Sequence, residues 1–429
     1  MPGAAIDPLQ IRECLSGLHG VNRFLIGLSG GLDSCVLLHV LRQAPPAAEL
    51  RAVHVNHGLR PAAGEWERFC ADLCAGYGIK IDLLRVDGRP ARGESPEAAA
   101  RNARYDAIRN LMEPGDCLLT AHQRDDQAET LLLQLLRGSG PAGLAAMPRL
   151  VRFGNGWQLR PLLDFDRIDL HKYAIAAAIR WVEDDSNSDP AYDRNFLRSE
   201  VMPLLRSRWP ALAQTVARAA AHQAEAVELL QVLGEQDHAE AVNPLRGTLS
   251  VTRLRLLPPA RLHNVLRFWF KAQAALPPSS AVLRQIVGAI NAADDRSPRV
   301  AWGRWEVRRY GEDLYLLDQV PPPAEEYVWR LRDGDFFIPE LRLRLRLQQL
   351  LAAGVQLPEG TSTLYIRFRG GGERIRLRGR KHSHSLKKIL QERAVPPWLR
   401  PRLPLLCDER GSVLAVLGLE PPLLMETGA

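Results

Sequence analysis

A short segment, Ser29-Gly30-Gly31-Leu32-Asp33-Ser34, carries residue types that bind phosphate groups. Two adjacent glycines let backbone amides approach a phosphate where a side chain would block them. The serine hydroxyls add hydrogen-bond donors, and a helix predicted from residue 32 adds its partially positive N-terminus. Asp33 does not suit an anion site unless a cation offsets it, so we interpret it as a contact to Mg²⁺. The segment therefore predicts nucleotide binding.

This segment differs from two common nucleotide loops. It lacks the Gly-Lys-Ser/Thr end of a Walker A loop, and it lacks the G-x-G-x-x-G of the dinucleotide fingerprint. The structural alternative is a glycine turn that only joins a strand to a helix.

A second polar group, Asp125, Asp126 and Glu129, opens a predicted helix at 125–136. Asp126 and Glu129 are three residues apart, so both carboxylates lie on one face of that helix. Such a pair binds an ammonium group, and one carboxylate can accept a proton as the amine becomes a nucleophile. The alternative is again structural, because the helix dipole alone favours acidic residues in a first turn.

These residues need a fold that brings strand ends together. Short apolar runs at 24–29, 52–58, 81–88 and 117–122 alternate with helical periodicity, which predicts an α/β fold with a parallel, doubly wound sheet. Ligands bind beyond the carboxyl ends of the strands in such sheets. A mainly helical middle region and a small mixed α/β region follow. We therefore predict domains at 1–210, 211–325 and 326–429.

The charge is unevenly distributed over the 429 residues. The net charge is +7, yet residues 361–403 contain twelve Arg or Lys and two Glu, which gives +10, so the rest of the chain is −3. The local excess suggests a polyanionic partner, with an Arg-rich exposed surface as the alternative. Six cysteines without C-x-x-C, no secretory signal and no run of ~18 apolar residues predict a reduced, cytoplasmic protein without membrane contact.

The loop Ser29–Ser34 resembles the PP-loop of N-type ATP pyrophosphatases, which cleave ATP between the α and β phosphates. Further segments, in order along the chain, resemble tRNA(Ile)-lysidine synthetases. They are HVNHGLR (54–60), ARNARY (100–105), TAHQRDDQAET (120–130), RPLL (160–163), DDSN (184–187), RNFLR (194–198) and PPWLRPRLPLL (396–406). The resemblance covers nearly the whole chain, including the C-terminal region.

The resemblance implies a two-step reaction on the wobble cytidine of the isoleucine tRNA with a CAU anticodon. The cytosine C2 oxygen attacks the α-phosphate of ATP, and pyrophosphate leaves. The ε-amine of free L-lysine then attacks C2 and displaces AMP, which gives lysidine. The implied ligands are ATP, Mg²⁺, L-lysine and this tRNA, and a homodimer is left open.

The resemblance also implies roles for individual residues. The expected ATP-binding residues are Ser29, Gly30, Gly31, Leu32, Asp33, Ser34 and His54. Asp126 and Glu129 would bind lysine. Asp33 and Asp125 would hold Mg²⁺, although Asp125 alternatively caps its helix. Catalytic roles fall to Asp33, Arg101, Asp126 and Arg194.

The tRNA is expected to contact a set of basic residues. They are Arg198, Arg374, Arg376, Arg378, Arg380, Lys381, Lys387 and Lys388. Arg194 and Arg198 alternatively close over ATP and the substrate, or belong to a structural loop held by Asp–Arg pairs. The family often has His-His where this chain has His122-Gln123, which leaves the role of the second position open.

Three other functions remain as alternatives. A PP-loop tRNA thiolase would need catalytic cysteines or an iron–sulfur ligand set, and Cys117 lies in an apolar strand where a thiol is a poor nucleophile. An ATP-dependent amide synthetase would not need the basic C-terminal segment. A non-catalytic tRNA-binding protein with a degenerate nucleotide fold would not need the intact loop together with Asp126 and Glu129.

Overall fold

The computed structural model describes residues 6–58, 63–90, 96–183, 192–244, 246–293, 298–319, 323–378, 382–419 and 422–425. The chain divides into two compact units, Met1–Gln231 and Val232–Ala429. Each unit has hydrophobic cores of its own.

The N-terminal unit is built on a six-stranded sheet with the order β3-β2-β1-β4-β6-β5. Its strands are β1 Arg23–Gly27, β2 Glu49–Asn56, β3 Lys80–Arg85, β4 Asp116–Leu119, β5 Leu150–Phe153 and β6 Gly156–Leu159. Neighbouring strands are parallel, except for β5 and β6, which form an antiparallel hairpin at one edge.

Helices pack on both faces of this sheet because its central strand is apolar on both sides. Phe24 and Ile26 belong to the larger core, whereas Leu25 between them packs with Ile108 and Leu118 on the other face. The helices are α1 Pro8–Ser16, α2 Leu32–Gln43, α3 Ala63–Tyr77, α4 Pro96–Leu111, α5 Arg124–Leu136, α6 Pro141–Leu144, α7 Arg167–Ala176, α8 Asp193–Phe196 and α9 Met202–Arg208. The predicted doubly wound α/β fold is confirmed.

The carboxyl ends of β1 and β4 form the crevice of the sheet. The chain runs from β1 outward to β2 and β3, and then returns to the opposite side of β1 at β4. Ligands bind in sheets of this kind where the strand order reverses. Residues 28–31 follow β1 and residues 120–123 follow β4, so the two predicted polar segments meet at this point.

The hairpin of β5 and β6 is not predicted from the sequence. Its strands have four residues each, which is too short for a clear periodicity. Strand β6 lies parallel beside β4, where Trp157 pairs with Cys117. This pairing brings Gln158 next to Thr120 at the crevice.

The second unit begins with helices around a five-stranded antiparallel sheet of order β7-β8-β11-β10-β9. Buried Trp269, Phe270 and Ile286 form its core. The strands are β7 Val242–Asn243, β8 Thr248–Ser250, β9 Arg299–Trp302, β10 Trp305–Tyr310 and β11 Asp313–Asp318. The helices are α10 Leu212–Ala241, which starts in the first unit, α11 Val251–Arg255, α12 Pro259–Ala272 and α13 Ser280–Asn291.

The rest of the second unit is mixed α/β, as predicted. A five-stranded sheet has the order β12-β15-β18-β19-β20, and two short ribbons pair β13 with β14 and β16 with β17. The strands are β12 Glu326–Arg330, β13 Phe336–Ile338, β14 Leu343–Leu345, β15 Thr363–Phe368, β16 Arg374–Ile375, β17 His384–Ser385, β18 Pro404–Cys407, β19 Val413–Val416 and β20 Leu423–Leu424. The helices are α14 Leu347–Ala352 and α15 Leu386–Glu392.

The middle region of the chain is not purely helical. The middle region carries the expected helices and, in addition, a sheet of its own. The domain boundaries at 210/211 and 325/326 stay predictions. Within the described ranges, no helix is both long and apolar enough to cross a membrane.

Replacing Gly156 with Ala should destabilise the N-terminal unit. The added methyl would overlap the carbonyl oxygen of Asp116, a backbone atom that moves only if β4 shifts. Overpacking of this kind costs about 1–3 kcal/mol, so the midpoint of urea unfolding should fall. Gly64→Ala is the matched control, because its methyl meets no described atom within 4 Å. Equal midpoints for the two variants would contradict the prediction.

Candidate active site

The phosphate loop connects β1 to α2 with an open backbone. Gly31 is the N-cap of α2 and has no side chain that could cover the first amides of the helix. Gly30 adopts φ +87°, a left-handed conformation that favours glycine. A Cβ at Gly30 would lie 3.2 Å from Cys70 Sγ. The loop thus has the open amides and helix N-terminus of an anion site.

The two serines of the loop hold it in this shape. Ser34 Oγ donates to the Gly31 carbonyl at 2.9 Å and accepts from the Ser29 amide at 3.2 Å. The two hydroxyl oxygens are 3.1 Å apart. Ser34 is buried and Ser29 is exposed, so Ser29 is the serine that can turn its hydroxyl to a ligand.

His54 and Arg101 border the same cleft from β2 and α4. His54 is buried, and its Nδ1 donates to the Leu28 carbonyl at 2.8 Å. Burial lowers the pKa of His54, so the ring is neutral and stays against the start of the loop. The Arg101 guanidinium carbon lies 5.2 Å from the centre of the Tyr105 ring.

Asp33 lies in the first turn of α2 with one oxygen unused. Its Oδ1 is buried and has no hydrogen-bond partner among the described residues. Burial, and then the field of Asp126, raises the pKa of Asp33 to about 6. An orphaned carboxylate oxygen beside an anion site fits a hard cation such as Mg²⁺, which prefers oxygen ligands. The unpartnered carboxylate oxygen of Asp33 therefore fits the expected contact to Mg²⁺.

Gln123 is the N-cap of α5 and forms a capping box. Its side-chain oxygen accepts from the Asp125 amide at 2.6 Å, and Asp126 Oδ2 accepts from the Gln123 amide at 3.0 Å. A glutamine side chain satisfies the first amides of the helix in this way. The position where the family often has a second His therefore serves here to start the helix.

Asp126 and Glu129 share two arginines. Arg194 contacts both carboxylates at 2.9 Å, and Arg198 contacts Asp126 at 2.9 Å and Glu129 at 2.7 Å. The carboxylates are 8% and 1% exposed. Burial alone would raise the pKa of Asp126, but the arginines outweigh it and hold that pKa below its usual value. We call these four residues the charge quartet.

The arginines of the charge quartet come from an unusual local structure. Arg194 lies in α8, and Arg198 lies in a π-helical turn, Leu197–Val201, that follows it directly. Single π-turns occur often at functional sites. Arg198, expected at the tRNA, thus lies in the cleft beside the carboxylates expected to bind lysine.

Asp125 has partners that differ from the expected metal. Its Oδ2 accepts from the Arg167 amide at 2.9 Å, and its Oδ1 pairs with the Arg206 guanidinium. Both oxygens therefore face donors. This placement fits the alternative of a structural role, in which Asp125 ties α5 to α7 and α9.

A cavity of about 1400 Å³ connects these groups. This volume exceeds the roughly 300–1,000 Å³ of a pocket for one small molecule, so it has room for more than one ligand. Expected site residues in its lining are Ser29, Gly31, Leu32, Asp33, Ser34, His54, Arg101, Asp125, Asp126, Arg194 and Arg198. Gly30 and Glu129 lie buried behind this lining.

The lining also contains residues that were not predicted. They include Trp66, Thr120, Arg167, His171, Trp181 and Arg206. The Val182 amide donates to the Gly30 carbonyl at 2.9 Å, which brings Trp181 to the loop. Apart from Thr120, which begins the segment TAHQRDDQAET, these positions have no local pattern that marks them, because the fold assembles them from distant segments.

The basic residues of the C-terminal region are sorted by their surroundings. Arg374, Arg376 and Arg378 are exposed and alternate with buried Ile375 and half-buried Leu377, so they share one face. Lys387 and Lys388 are exposed on α15. Arg374 donates to the Ser383 carbonyl at 3.0 Å, whereas Arg367 pairs with the carboxylate of Glu326 and Arg369 with that of Glu373. Arg380 and Lys381 lie outside the described residues.

Three family models match the chain in order. They are a PP-loop domain over residues 8–205, a TilS substrate binding domain over 249–315 and a TilS substrate C-terminal domain over 364–420. The fold and the loop at Ser29–Ser34 therefore define a PP-loop enzyme that uses ATP.

Relatives cover almost the whole chain. The tRNA(Ile)-lysidine synthase of Methylococcus capsulatus is 41% identical over 96% of this chain and 94% of its own length. That of Legionella pneumophila strain Paris is 40% identical over 93% of this chain and 91% of its own length. The chain belongs to the tRNA(Ile)-lysidine synthase family. Among solved structures, the U34-tRNA thiolase NcsA from Methanococcus maripaludis is similar with a TM-score of 0.42 and 18% identity, over 51% of this chain and 78% of that chain.

Asp33 should make stability depend on pH. Its pKa rises from 3.8 to about 6 on folding, so the folded state binds more protons between these values and stability falls as pH rises through this window. Relative to wild type, Asp33→Asn should therefore gain stability as the pH rises from ~4 to ~6, by on the order of 3 kcal/mol at most. Urea unfolding without Mg²⁺ measures this difference.

The matched control is Asp72→Asn, at an exposed aspartate of α3. At pH 7, Mg²⁺ should stabilise wild type and leave Asp33→Asn unchanged. A pH-independent difference between wild type and Asp33→Asn would contradict the predicted burial effect, and equal Mg²⁺ responses would contradict the metal contact.

Proposed function

We propose that this chain ligates free L-lysine to C2 of the wobble cytidine of the isoleucine tRNA with a CAU anticodon. ATP first adenylates the cytosine C2 oxygen and releases pyrophosphate, and the lysine ε-amine then displaces AMP. The observation that carries this proposal is one cavity lined by the phosphate loop and by Asp126, with Glu129 buried behind the lining and bonded to the same two arginines as Asp126. An anion site at the phosphate loop and a cation site at the carboxylates therefore adjoin the same cavity.

The phosphate loop supplies what the first step requires. Cleavage between the α and β phosphates places charge on phosphate oxygens, and fixed donors stabilise that charge. The first amides of α2, which the N-cap Gly31 leaves uncapped, and the Ser29 hydroxyl are such donors. Asp33 would hold Mg²⁺, which would neutralise charge on the leaving pyrophosphate. Arg101 would approach the phosphates from α4.

The charge quartet supplies the second step. Asp126 and Glu129 suit an ammonium group, but two guanidinium groups are their present partners. ATP brings negative charge into the same cavity, so Arg194 and Arg198 gain a competing anion. When the arginines turn to phosphate oxygens, the carboxylates are released to bind the lysine amine and to take its proton.

The exposed arginines of the C-terminal region suit a tRNA backbone. Phosphate contacts from Arg and Lys position a nucleic acid without reading its sequence. Arg374, Arg376 and Arg378 form a row on one face, and Lys387 and Lys388 lie on α15, which packs directly after β17. We infer that this surface holds the tRNA body while the cavity holds the wobble base.

The cysteines argue against the thiolase alternative. Burial raises the pKa of Cys117 and of Cys35 to about 12, so neither is a thiolate at neutral pH. Among the described residues, no group of three or more His, Cys, Asp or Glu is arranged to hold a metal. The paired carboxylates in the cavity argue against a degenerate, non-catalytic fold, because burying them without a function is costly.

Lysine transfer should be specific for one tRNA. Incubated with ATP, Mg²⁺, radiolabelled lysine and tRNA transcripts, the chain should label only the isoleucine tRNA with a CAU anticodon. Glu129→Gln should raise the KM for lysine by at least about tenfold, because a buried charge partner is lost, and should not raise the KM for ATP.

Asp193→Asn is the control for that experiment. Asp193 is exposed and contacts only Arg137, at 3.9 Å, among its described ion pairs. It should keep the wild-type KM for lysine. Folded wild-type protein that transfers no lysine would refute the proposed function, and an unchanged KM in Glu129→Gln would refute the lysine site.

Neutralising the arginine row should weaken tRNA binding and its salt dependence together. The triple change Arg374→Gln, Arg376→Gln and Arg378→Gln should reduce the slope of log affinity against log salt by about one for each lost phosphate contact. ATP affinity should not change. Arg367→Gln with Arg369→Gln is the matched control, because those arginines already pair with carboxylates. A slope that falls equally in both variants would contradict the assignment.

A further inference from the structure

The wall of the cavity contains a chain of four polar side chains that the proposed steps leave unused. Arg160, Gln158, Thr120 and His122 follow one another by hydrogen bonds from the protein interior to the cavity. Arg160 and Gln158 are 6% and 3% exposed. Thr120 and His122 line the cavity. A buried chain of this kind transmits a fixed direction of donation.

Arg160, at the inner end of this series of hydrogen bonds, fixes the orientation of the Gln158 amide. Arg160 donates to the Pro148 carbonyl at 2.6 Å and to Gln158 Oε1 at 2.9 Å. A guanidinium group only donates, so the amide oxygen must face it. The Gln158 NH₂ group therefore points the other way, where it donates to Thr120 Oγ1 at 3.2 Å.

This orientation also determines what the Thr120 hydroxyl does. Its oxygen accepts from Gln158, so its hydrogen needs another acceptor. His122 Nδ1 lies 3.0 Å from Oγ1, and either atom could be the donor; because Gln158 already donates to Oγ1, we assign the hydroxyl as the donor and Nδ1 as the acceptor. Since Nδ1 accepts, the proton of the neutral imidazole must be on Nε2.

His122, at the outer end of this series of hydrogen bonds, is an uncharged donor. His122 Nε2 has no hydrogen-bond partner in the described ranges, and the ring borders the cavity. Burial lowers the pKa of His122, and the fields of Arg160, Arg194 and Arg101 act in the same direction, against the opposing field of Asp126. The ring therefore presents one N–H and no charge.

We propose that His122 is a catalytic residue whose Nε2–H donates to an acceptor on the O2/N3 edge of the reacting pyrimidine, and that Thr120, Gln158 and Arg160 are positioning residues. The inference rests on the proposed function. Phosphate oxygens already have the loop amides and nearby guanidinium groups, whereas the base edge has no other neutral donor assigned to it. Cytosine offers an acceptor at N3, but uracil carries N3–H there. Two facing donors repel, so this arrangement would also favour cytosine.

Reversing the direction of hydrogen-bond donation along these four side chains tests this inference. Gln158→Glu keeps the shape and the pairing with Arg160, but the introduced carboxylate only accepts. The Thr120 hydroxyl should then donate to that carboxylate and accept from His122 Nδ1–H. Nε2 would then carry no proton. Proton–nitrogen NMR of the full chain with ¹⁵N-labelled histidine, assigned with His122→Gln, should show Nε2–H in wild type and Nδ1–H in Gln158→Glu.

The kinetics should follow the tautomer. In Gln158→Glu, tRNA-dependent pyrophosphate release should fall at least about tenfold, the effect of an opposed hydrogen bond, while the Kd for ATP stays within about twofold of the wild-type value. Thr120→Ser is the matched control, because it keeps the hydroxyl and should keep both tautomer and rate. If Gln158→Glu does not fold, Thr120→Val removes the hydroxyl with little change of shape and should lose rate similarly.

Three results would overturn the inference. They are an unchanged tautomer in Gln158→Glu, a reversed tautomer with a wild-type rate, and an ATP affinity that falls in proportion to the rate. The last result would assign the acceptor to an α-phosphate oxygen and not to the base. The tautomer is measured without substrates, so failure of lysine transfer by wild type would refute the proposed function separately.

Discussion

The charge quartet is the interaction on which the rest of the site depends. Asp126 and Glu129 lose nearly all contact with water, and an ionised carboxylate in that position is costly unless it is paired. Arg194 and Arg198 supply the pairing and thereby fix the segment 193–201 against α5. Asp126 also accepts from the Gln123 amide, so the carboxylate that holds the arginines also starts the helix. Removal of either arginine would leave two buried carboxylates with a single guanidinium partner.

The quartet is neutral in sum, and this balance governs how charged substrates enter. A lysine amine adds a positive charge that two carboxylates already occupied by guanidinium groups cannot accept favourably. The phosphates of ATP are the natural counterpart for those guanidinium groups, since Arg binds phosphate oxygens in two-pronged fashion. In the proposed reaction, the anion site at Ser29–Ser34 therefore has to be filled before the cation site becomes available. The order of chemistry, adenylation before lysine attack, agrees with this order of charge.

The sequence predicts features that depend on neighbouring residues and misses those that depend on distant ones. The loop Ser29–Ser34 and the acidic start of α5 are local patterns, so their positions at the strand ends follow once the βα alternation is recognised. The pairing of β6 with β4 joins residues 157 and 117, and no local pattern encodes it. For the same reason Gln158 could not be placed beside Thr120. Arg198 was expected either at the tRNA or closing over ATP and the substrate, because a sequence does not show that it lies next to Asp126.

Net charge by itself does not identify a nucleic-acid surface, because paired and exposed arginines count equally. Within the basic segment, Arg367 and Arg369 are matched by Glu326 and Glu373. The row at 374, 376 and 378 follows from a period of two, in which apolar residues turn inward and arginines outward. Exposed cations gain from a polyanion by releasing its counterions, and a guanidinium group that already has a carboxylate partner gains less. The chain therefore uses arginine in two ways: as a fixed internal counter-charge in the cavity and as an exposed charge in the C-terminal region.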